Sequence, residues 1–217
     1  MVAFDDVVAL DKAGRRRTKE AFERTHRWLK RSIAELQKLR SKHNRNKKPI
    51  LFGVVQGGLD KELRAKSLEL VQATEVDGIA IGGLSVGESK KDMYEILQFL
   101  APMYDPDRPH FLMGVGDPPD MRVAIQNGID MFDCVLPTRN ARHGTAWITG
   151  DKRTPDKKLN LRSAKFAKDT SVIDPKCDCQ TCLDGYSRGF LRHQFAVGEP
   201  LAGTLCSIHN IRYLQRL

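Results

Sequence analysis

The chain has 217 residues, a mean hydropathy of -0.43 and a formal net charge of +9, with a pI near 9.4. Its length allows one sizeable core, and no apolar run reaches the roughly 18 to 20 residues of a membrane-spanning helix. The excess of basic residues suggests a polyanionic partner, most simply a nucleic acid, although solvated lysine-rich helix faces account for it equally well.

Four apolar segments alternate with helical patterns through the first 150 residues. Each segment is short and nearly uninterrupted, as in strands that are buried on both faces of a parallel sheet. We predict such strands at 49–58, 78–83, 110–116 and 129–136, with a candidate fifth at 2–7. Repeated strand–helix units of this kind predict an α/β fold with a parallel sheet, either open or closed into a barrel.

The predicted helices between these strands carry apolar residues on one face. The apolar positions are Phe22, Leu29, Ile33 and Leu36 in the first helix and Met93, Ile96, Leu97 and Leu100 in a later one. The stretch 36–48 has six Lys or Arg residues and no acid. It is typical of a mobile basic loop or of a solvated helix end without function, and we favour the helix end.

Polar or glycine-rich residues follow each predicted strand. In parallel α/β folds the chemistry lies at the carboxyl ends of the strands, whether the sheet is open or a barrel. The residues at these ends form the candidate site: Gln56, Gly57, Gly58, Gly82, Gly83, Leu84, Met113, Gly114 and Asp133.

Asp133 is the carboxylate of chemical interest in "GIDMFDCVLPTRNARHG", residues 128–144. A carboxylate at a strand end can attack the anomeric carbon of a sugar, as in retaining glycosidases. It can also bind Mg²⁺, hold a ribose hydroxyl or cap the next helix. Asp130 lies three residues earlier, so we expect it to point to the opposite face of the strand in a structural role.

The cysteines indicate a metal site in a reducing compartment. Three of the five lie in "CDCQTC", as Cys177, Cys179 and Cys182, and an odd total argues against a disulfide framework. This spacing brings three thiolates around one ion, usually Zn²⁺, and either Cys206 or His209 can supply the fourth ligand. No signal peptide follows Met1, so we expect a cytoplasmic protein.

Eight motifs together resemble one family. They are "FDDV", "VVQGGLDKELR", "GIAIGGLSVGES", "HFLMGVG", "GIDMFDCVLPTRNARHG", "CDCQTC", "YSRGFLRH" and "HNIRYLQRL". They occur in the order seen in the tRNA-guanine transglycosylases, also called queuine tRNA-ribosyltransferases, and span essentially the whole chain.

The resemblance implies a (β/α)8 TIM barrel, here incomplete, with a zinc-binding subdomain. We therefore expect a partial catalytic barrel over residues 1–150 and the zinc subdomain over 151–217. The implied reaction exchanges guanine at wobble position 34 of tRNAs with G-U-N anticodons (Asp, Asn, His and Tyr) for 7-aminomethyl-7-deazaguanine in queuosine biosynthesis. It is a double displacement through a covalent ribosyl-aspartate, and the family commonly forms homodimers.

The resemblance also assigns roles to individual residues. Asp133 is the expected nucleophile, Arg139 and Arg142 match arginines that read the tRNA bases beside the target, and His209 becomes the fourth zinc ligand. The base-binding residues follow from the same motifs, with Asp5 favoured over Asp6. They are Asp5, Gln56, Gly83, Leu84 and Met113.

Two departures from the family pattern affect these expectations. Val86 is typical of bacterial enzymes, whereas Val7 stands where many of them have cysteine and eukaryotic ones have valine. The two residues conflict, and the preferred base leans toward the aminomethyl precursor without being settled. Family members also carry a segment before "FDD" that supplies a second aspartate as general acid/base, and a closing helix after "YLQRL". We therefore expect a truncated chain that does not turn over alone.

Two other functions are weighed against base exchange. A non-catalytic tRNA-binding partner subunit, or an inactive fragment, is the closer alternative, although Asp133 and the intact "FDCVLPTR" argue against it. A metal-dependent hydrolase on a similar barrel needs His and Asp at its strand ends to hold a catalytic metal. Here the cysteine-rich cluster lies outside the strand–helix region, which disfavours that class.

Overall fold

The computed structural model describes residues 1–9, 14–42 and 49–217. These residues form two compact units. Unit 1 comprises Met1–Val115 and Arg122–Asp133, and unit 2 comprises Gly116–Met121 and Cys134–Leu217. The domain boundary expected at residue 150 stays a prediction.

Unit 1 contains the alternating strands and helices that the sequence predicts. In chain order these are α1 (Arg15–Lys42), β1 (Phe52–Val55), α2 (Lys61–Gln72), β2 (Gly78–Ile81), α3 (Lys90–Leu100), a 3-10 turn (Ala101–Met103), β3 (His110–Leu112), α4 (Pro118–Gln126) and β4 (Met131–Phe132). The first four residues of α4 belong to unit 2.

The four strands form one parallel sheet in the order β1-β2-β3-β4. At the start of the chain Val2 bridges Phe52 in parallel, and the Ala3 N–H donates to the Phe52 carbonyl at 2.9 Å. The candidate fifth strand is thus reduced to a bridge beside β1. The prediction of an α/β fold with a parallel sheet is confirmed, while closure into a barrel stays a prediction.

The predicted strand at 129–136 is wrong in its length and burial. β4 has only two residues, Met131 is 44% exposed, and Leu136 already begins a helix. The physical reason is position, because β4 pairs with β3 alone among the described strands and so lies at an edge of the sheet. The other three strands are buried except for Phe111, which is half-buried.

Helix α1 decides between the two interpretations of the basic stretch at 36–48. It runs without interruption to Lys42, so residues 36–42 are a helix end, as favoured, and the loop interpretation is wrong there. Residues 43–48 lie outside the described residues. Phe22, Leu29 and Leu36 are buried along one face of α1, as their spacing predicts, and Ile33 is half-buried.

Unit 2 joins an antiparallel hairpin to a group of helices. Its elements are α5 (Leu136–Arg142), β5 (Thr145–Thr149), β6 (Asp156–Asn160), a 3-10 turn (Ala164–Phe166), α6 (Gln180–Leu183), α7 (Arg188–Val197) and α8 (Pro200–Gln215). A core that includes Leu161, Ile173 and Leu191 also contains the cysteines of "CDCQTC". None of the helices in the described ranges is both long and apolar enough to cross a bilayer.

Candidate active site and metal centre

The carboxyl ends of β1 and β2 bring together three of the predicted base-binding residues, which are Asp5, Gln56 and Gly83. Gln56 follows β1 and is 2% exposed, and its backbone N–H donates to Ser67 Oγ at 2.9 Å. Its side-chain Nε2 donates to Asp5 Oδ2 at 2.6 Å. Asp5 and Gln56 therefore form a polar pair at the edge of unit 1 where the strands end.

Asp5 and Asp6 have different partners, although they are adjacent in sequence. The carboxylate of Asp6 is held by Arg17, at 2.6 and 2.8 Å, and by Arg24, and both arginines lie on α1. These partners, led by the hydrogen bond from Arg17, lower the pKa of the Asp6 carboxyl despite its partial burial. Asp6 therefore binds two side chains of α1, whereas Asp5 contacts Gln56.

Gly83 lies against the Gln56 side chain in a way that requires glycine. Its φ is 63°, in the left-handed region, and a Cβ built there would lie 2.3 Å from Gln56 Oε1. Any side chain at this position would both strain the backbone and displace Gln56. The next residue, Leu84, is buried.

Among the described residues, the N–H groups of Gly83 and Leu84 and the Leu84 carbonyl have no hydrogen-bond partner. Buried backbone groups are normally paired. Unpaired donors and an acceptor next to the Asp5–Gln56 pair are therefore able to recognise a planar polar ligand.

Asp133 is exposed directly after β4, and its position is fixed by the neighbouring strand end. The Gly114 N–H donates to Asp133 Oδ1 at 3.0 Å. Met113, which precedes Gly114, is half-buried at the end of β3. One carboxylate oxygen of Asp133 is thus held by the backbone, and Oδ2 accepts no hydrogen bond from another of the described residues.

Asp130 has a different set of contacts from Asp133. Its Oδ2 accepts from the His110 N–H at 2.8 Å and lies 3.6 Å from His110 Nδ1. These contacts join the starts of β3 and β4, at the amino ends of the strands, which suits the structural role expected for Asp130.

Arg64 is a site residue that sequence reasoning missed. It lies on α2, its side chain is fully buried, and its guanidinium donates to backbone carbonyls after β1 and β2. One signal was present in the sequence, because Arg64 falls on the apolar stripe of α2 with Leu68 and Val71, at i, i+4 and i+7.

Arg139 and Arg142 lie on α5 in unit 2, and both side chains are exposed. Neither guanidinium forms an ion pair or hydrogen bond with another described residue. Both cations are available for an anionic or π-rich partner.

The predicted metal ligands come together in unit 2. Cys177, Cys179, Cys182 and His209 are all buried, and their ligand atoms lie within 4.8 Å of one another. His209 Nδ1 lies 3.5 Å from Cys179 Sγ and 3.4 Å from Cys182 Sγ. The thiol of Cys206 instead contacts the Thr145 carbonyl, at 3.6 Å.

The second ring nitrogen of His209 supports a ligand role for the first. Nε2 lies 2.7 Å from the Trp147 carbonyl, which can only accept, so Nε2 carries the proton and Nδ1 has a free lone pair. Burial also lowers the pKa of His209, which favours the neutral, ligating form. Three thiols and one imidazole in this arrangement fit a tetrahedral metal ion.

Comparison with known proteins identifies the family. The family model described as "Queuine tRNA-ribosyltransferase" matches residues 1–217, the whole chain. The chain belongs to the queuine tRNA-ribosyltransferase family. The resemblance carried by the eight motifs is thereby confirmed.

Relatives named queuine tRNA-ribosyltransferase agree with this assignment. The Haemophilus influenzae protein is 45% identical over 199 residues, which is 92% of this chain and 49% of the relative. The Herpetosiphon aurantiacus protein is 46% identical over 200 residues, covering 92% and 47%. The Pasteurella multocida protein is 44% identical, covering 92% and 48%. The chain therefore spans about half the length of these curated family members.

Proposed function

We propose that this member of the queuine tRNA-ribosyltransferase family takes part in tRNA-guanine transglycosylation. The reaction exchanges guanine at wobble position 34 of tRNAs with G-U-N anticodons for 7-aminomethyl-7-deazaguanine. The observation that carries the proposal is the set of groups at the strand ends of unit 1. A held but exposed carboxylate, Asp133, accompanies a polar pair formed by half-buried Asp5 and buried Gln56.

Asp133 serves as the nucleophile. Its Oδ2 attacks C1′ of the ribose while the bond from C1′ to N9 of guanine breaks, and guanine leaves with that electron pair and gains a proton. A covalent ribosyl ester results. The nitrogen of the incoming base then loses its proton, attacks C1′ and expels the carboxylate, so that two inversions give net retention.

The Gly114 N–H assists this step by holding Oδ1 of Asp133. A backbone donor fixes the direction of attack without adding a side chain that must be ordered. It also stabilises the carboxylate that is regenerated when the ester breaks.

The base is recognised by fixed polar groups. The Asp5 carboxylate accepts from the N–H and amino donors of a guanine-type edge, while Gln56 and the Gly83 N–H donate to its carbonyl. The Leu84 carbonyl accepts from the aminomethyl substituent, and Met113 packs on one face of the ring. Val86, which is half-buried, and Val7, which is exposed, help to determine which substituent on the incoming base is preferred.

Arg139 and Arg142 contact the single-stranded bases that flank position 34. Arginine suits this role because its planar guanidinium stacks on bases and donates two hydrogen bonds in parallel. Both side chains are exposed and unpaired among the described residues. The net charge of +9 favours approach of the tRNA backbone.

The ligand cluster of unit 2 holds Zn²⁺. Cys177, Cys179, Cys182 and His209 supply four ligands, and a tetrahedral ion with four protein ligands has no open position for substrate. We therefore assign zinc a structural role. A homodimer follows from the family resemblance, and a cytoplasmic location is expected from the cysteine-rich motif, which suits a reducing compartment.

The test is covalent trapping on the longest natural form of the protein. Incubation with substrate tRNA in the absence of free base should give a protein–RNA band that survives denaturing electrophoresis. Asp133→Asn should abolish this band, while Asp130→Asn, whose carboxylate bonds the His110 N–H instead, should retain it. A wild-type protein that binds tRNA but forms no adduct would instead be the non-catalytic partner subunit.

A further inference from the structure

The guanidinium of Arg64 connects the ends of two strands. Its Nε donates to the Gly58 carbonyl at 2.7 Å, and Nη1 donates to the carbonyls of Val55 at 3.0 Å and Gly82 at 2.7 Å. Nη2 donates to the Gly83 carbonyl at 3.0 Å. Four carbonyls, two after β2 and two at the end of β1, therefore meet at one side chain.

A charged residue is costly at this buried position unless its donors are used. No carboxylate of the described residues forms an ion pair with Arg64, and burial lowers the pKa of its guanidinium to about 10. The group is still cationic at neutral pH, because its pKa remains well above 7. Removing a charge from water costs several kcal/mol, and here hydrogen bonds to carbonyls offset that cost in place of an ion pair.

The four carbonyls surround the peptide groups of the predicted base-binding residues. Val55 and Gly58 lie on either side of Gln56 in the chain, and Gly82 and Gly83 precede Leu84. A Cβ on Gly82 would lie 2.9 Å from Asp5 Oδ2 and 3.0 Å from Gln56 Nε2. A small rotation of either peptide would therefore change the positions of Asp5 and Gln56 as well.

We propose that Arg64 is a positioning residue for base recognition, which fixes the relative placement of Gln56 and of the Gly83–Leu84 peptide. This inference rests on the proposed function. Only arginine meets the geometry, since its rigid fork directs donors to carbonyls on both strand ends. Lysine has one nitrogen and cannot reach all four.

The experiment compares Arg64→Lys with Arg108→Lys in the longest natural form of the protein. Arg108 is a matched control, because its guanidinium also donates to backbone carbonyls of unit 1, those of Gln72 at 3.0 Å and Thr74 at 3.1 Å. Its partners lie at the end of α2 and just after it, away from the carboxyl ends of the strands. The measurements are kcat, KM for the free base, KM for tRNA, equilibrium binding of the free base, and Tm.

We expect Arg64→Lys to raise KM and Kd for the free base by about ten- to a hundredfold, the order of loss that misplacement by about 1 Å causes. KM for tRNA should stay within about twofold, since the tRNA-reading arginines belong to unit 2. Arg108→Lys should change Tm without changing KM for the base.

Two results would overturn the inference while leaving the proposed function intact. In one, the wild-type protein exchanges bases and Arg64→Lys keeps the wild-type KM for the base. In the other, the activity and the base binding of Arg64→Lys fall only in proportion to its unfolded fraction. A wild-type protein without exchange would refute the proposed function instead, and equal base binding by wild type and Arg64→Lys would then refute the inference separately.

Discussion

At the scale of single residues, long-range contacts separate groups that the sequence alone leaves equivalent. Asp5 and Asp6 are adjacent carboxylates, and the family resemblance favours Asp5. In the structure Asp5 contacts Gln56, which is 51 positions away, while Asp6 binds two arginines of α1. Arg64 is a residue whose location the sequence predicts poorly. Its charge suggests a surface residue, and only the position on the apolar stripe of α2 indicates burial.

Substitution of the two aspartates should therefore have different effects. Asp5→Asn should raise KM for the free base at least about tenfold, because an amide cannot accept from both donors of the guanine edge. Asp6→Asn should leave that KM unchanged. It should lower the free energy of unfolding by about 1 kcal/mol, a modest value because Arg17 and Arg24 are each 40% exposed. Steady-state kinetics and urea unfolding of both variants measure this, and a reversed pattern would contradict the assignment of Asp5.

His26 makes the stability of unit 1 dependent on pH. It is buried beside Ser67, with its Nε2 2.9 Å from Ser67 Oγ, and burial, with a smaller effect of Lys30, lowers its pKa to about 4. The unfolded chain, with a pKa near 6.5, binds this proton first as the pH falls. The free energy of unfolding should therefore fall by about 1–2 kcal/mol between pH 7 and pH 5.

The measurement is urea unfolding at these two pH values for wild type, His26→Gln and His193→Gln. His26→Gln should reduce the difference in the free energy of unfolding between pH 7 and pH 5, whereas the control at exposed His193 should not. An unchanged difference in His26→Gln would show that other groups cause the pH dependence.

At the scale of elements, apolar segments predicted the strands of unit 1 but not the hairpin of unit 2. β1, β2 and β3 consist of apolar residues that are mostly buried, a pattern visible in sequence. β6 reads "DKKLN" and is largely exposed, so no apolar alternation reveals it. Pairing with β5 decides its structure, and such a contact lies outside local propensity.

The metal cluster should determine the stability of unit 2. Cys182→Ala removes one of four buried ligands, and a structural zinc site supplies on the order of 10 kcal/mol of folding energy. We expect loss of bound zinc, measured by elemental analysis, together with unfolding of β5, β6 and α8, measured by hydrogen exchange. Chelation of the wild-type protein should have the same effect.

Cys206→Ala is the matched control for this substitution. Cys206 is a buried cysteine of the same core whose thiol contacts the Thr145 carbonyl, and burial raises its pKa to about 12. This variant should keep one zinc per chain and lose only about 1 kcal/mol through the small cavity. Full zinc binding by Cys182→Ala would contradict the ligand assignment.

At the scale of the whole molecule, the motifs established the family but not every boundary. The order of eight motifs predicted a family that the comparison confirms over residues 1–217. The ends of the parallel strands also indicated where the candidate site residues lie. Four parallel strands are half of a (β/α)8 barrel, and the chain spans about half of its relatives. Barrel closure, dimer formation and the inactivity expected of residues 1–217 alone all depend on contacts beyond these residues, and they stay predictions.

The central claim is that Asp133 forms the covalent intermediate. The most direct measurement is mass spectrometry of the trapped protein–RNA adduct after nuclease and protease digestion. The account predicts a ribose-derived mass on the peptide that contains Asp133, lost in Asp133→Asn and retained in Asp130→Asn. Attachment to another residue, or base exchange by a fully active Asp133→Asn protein, would contradict it.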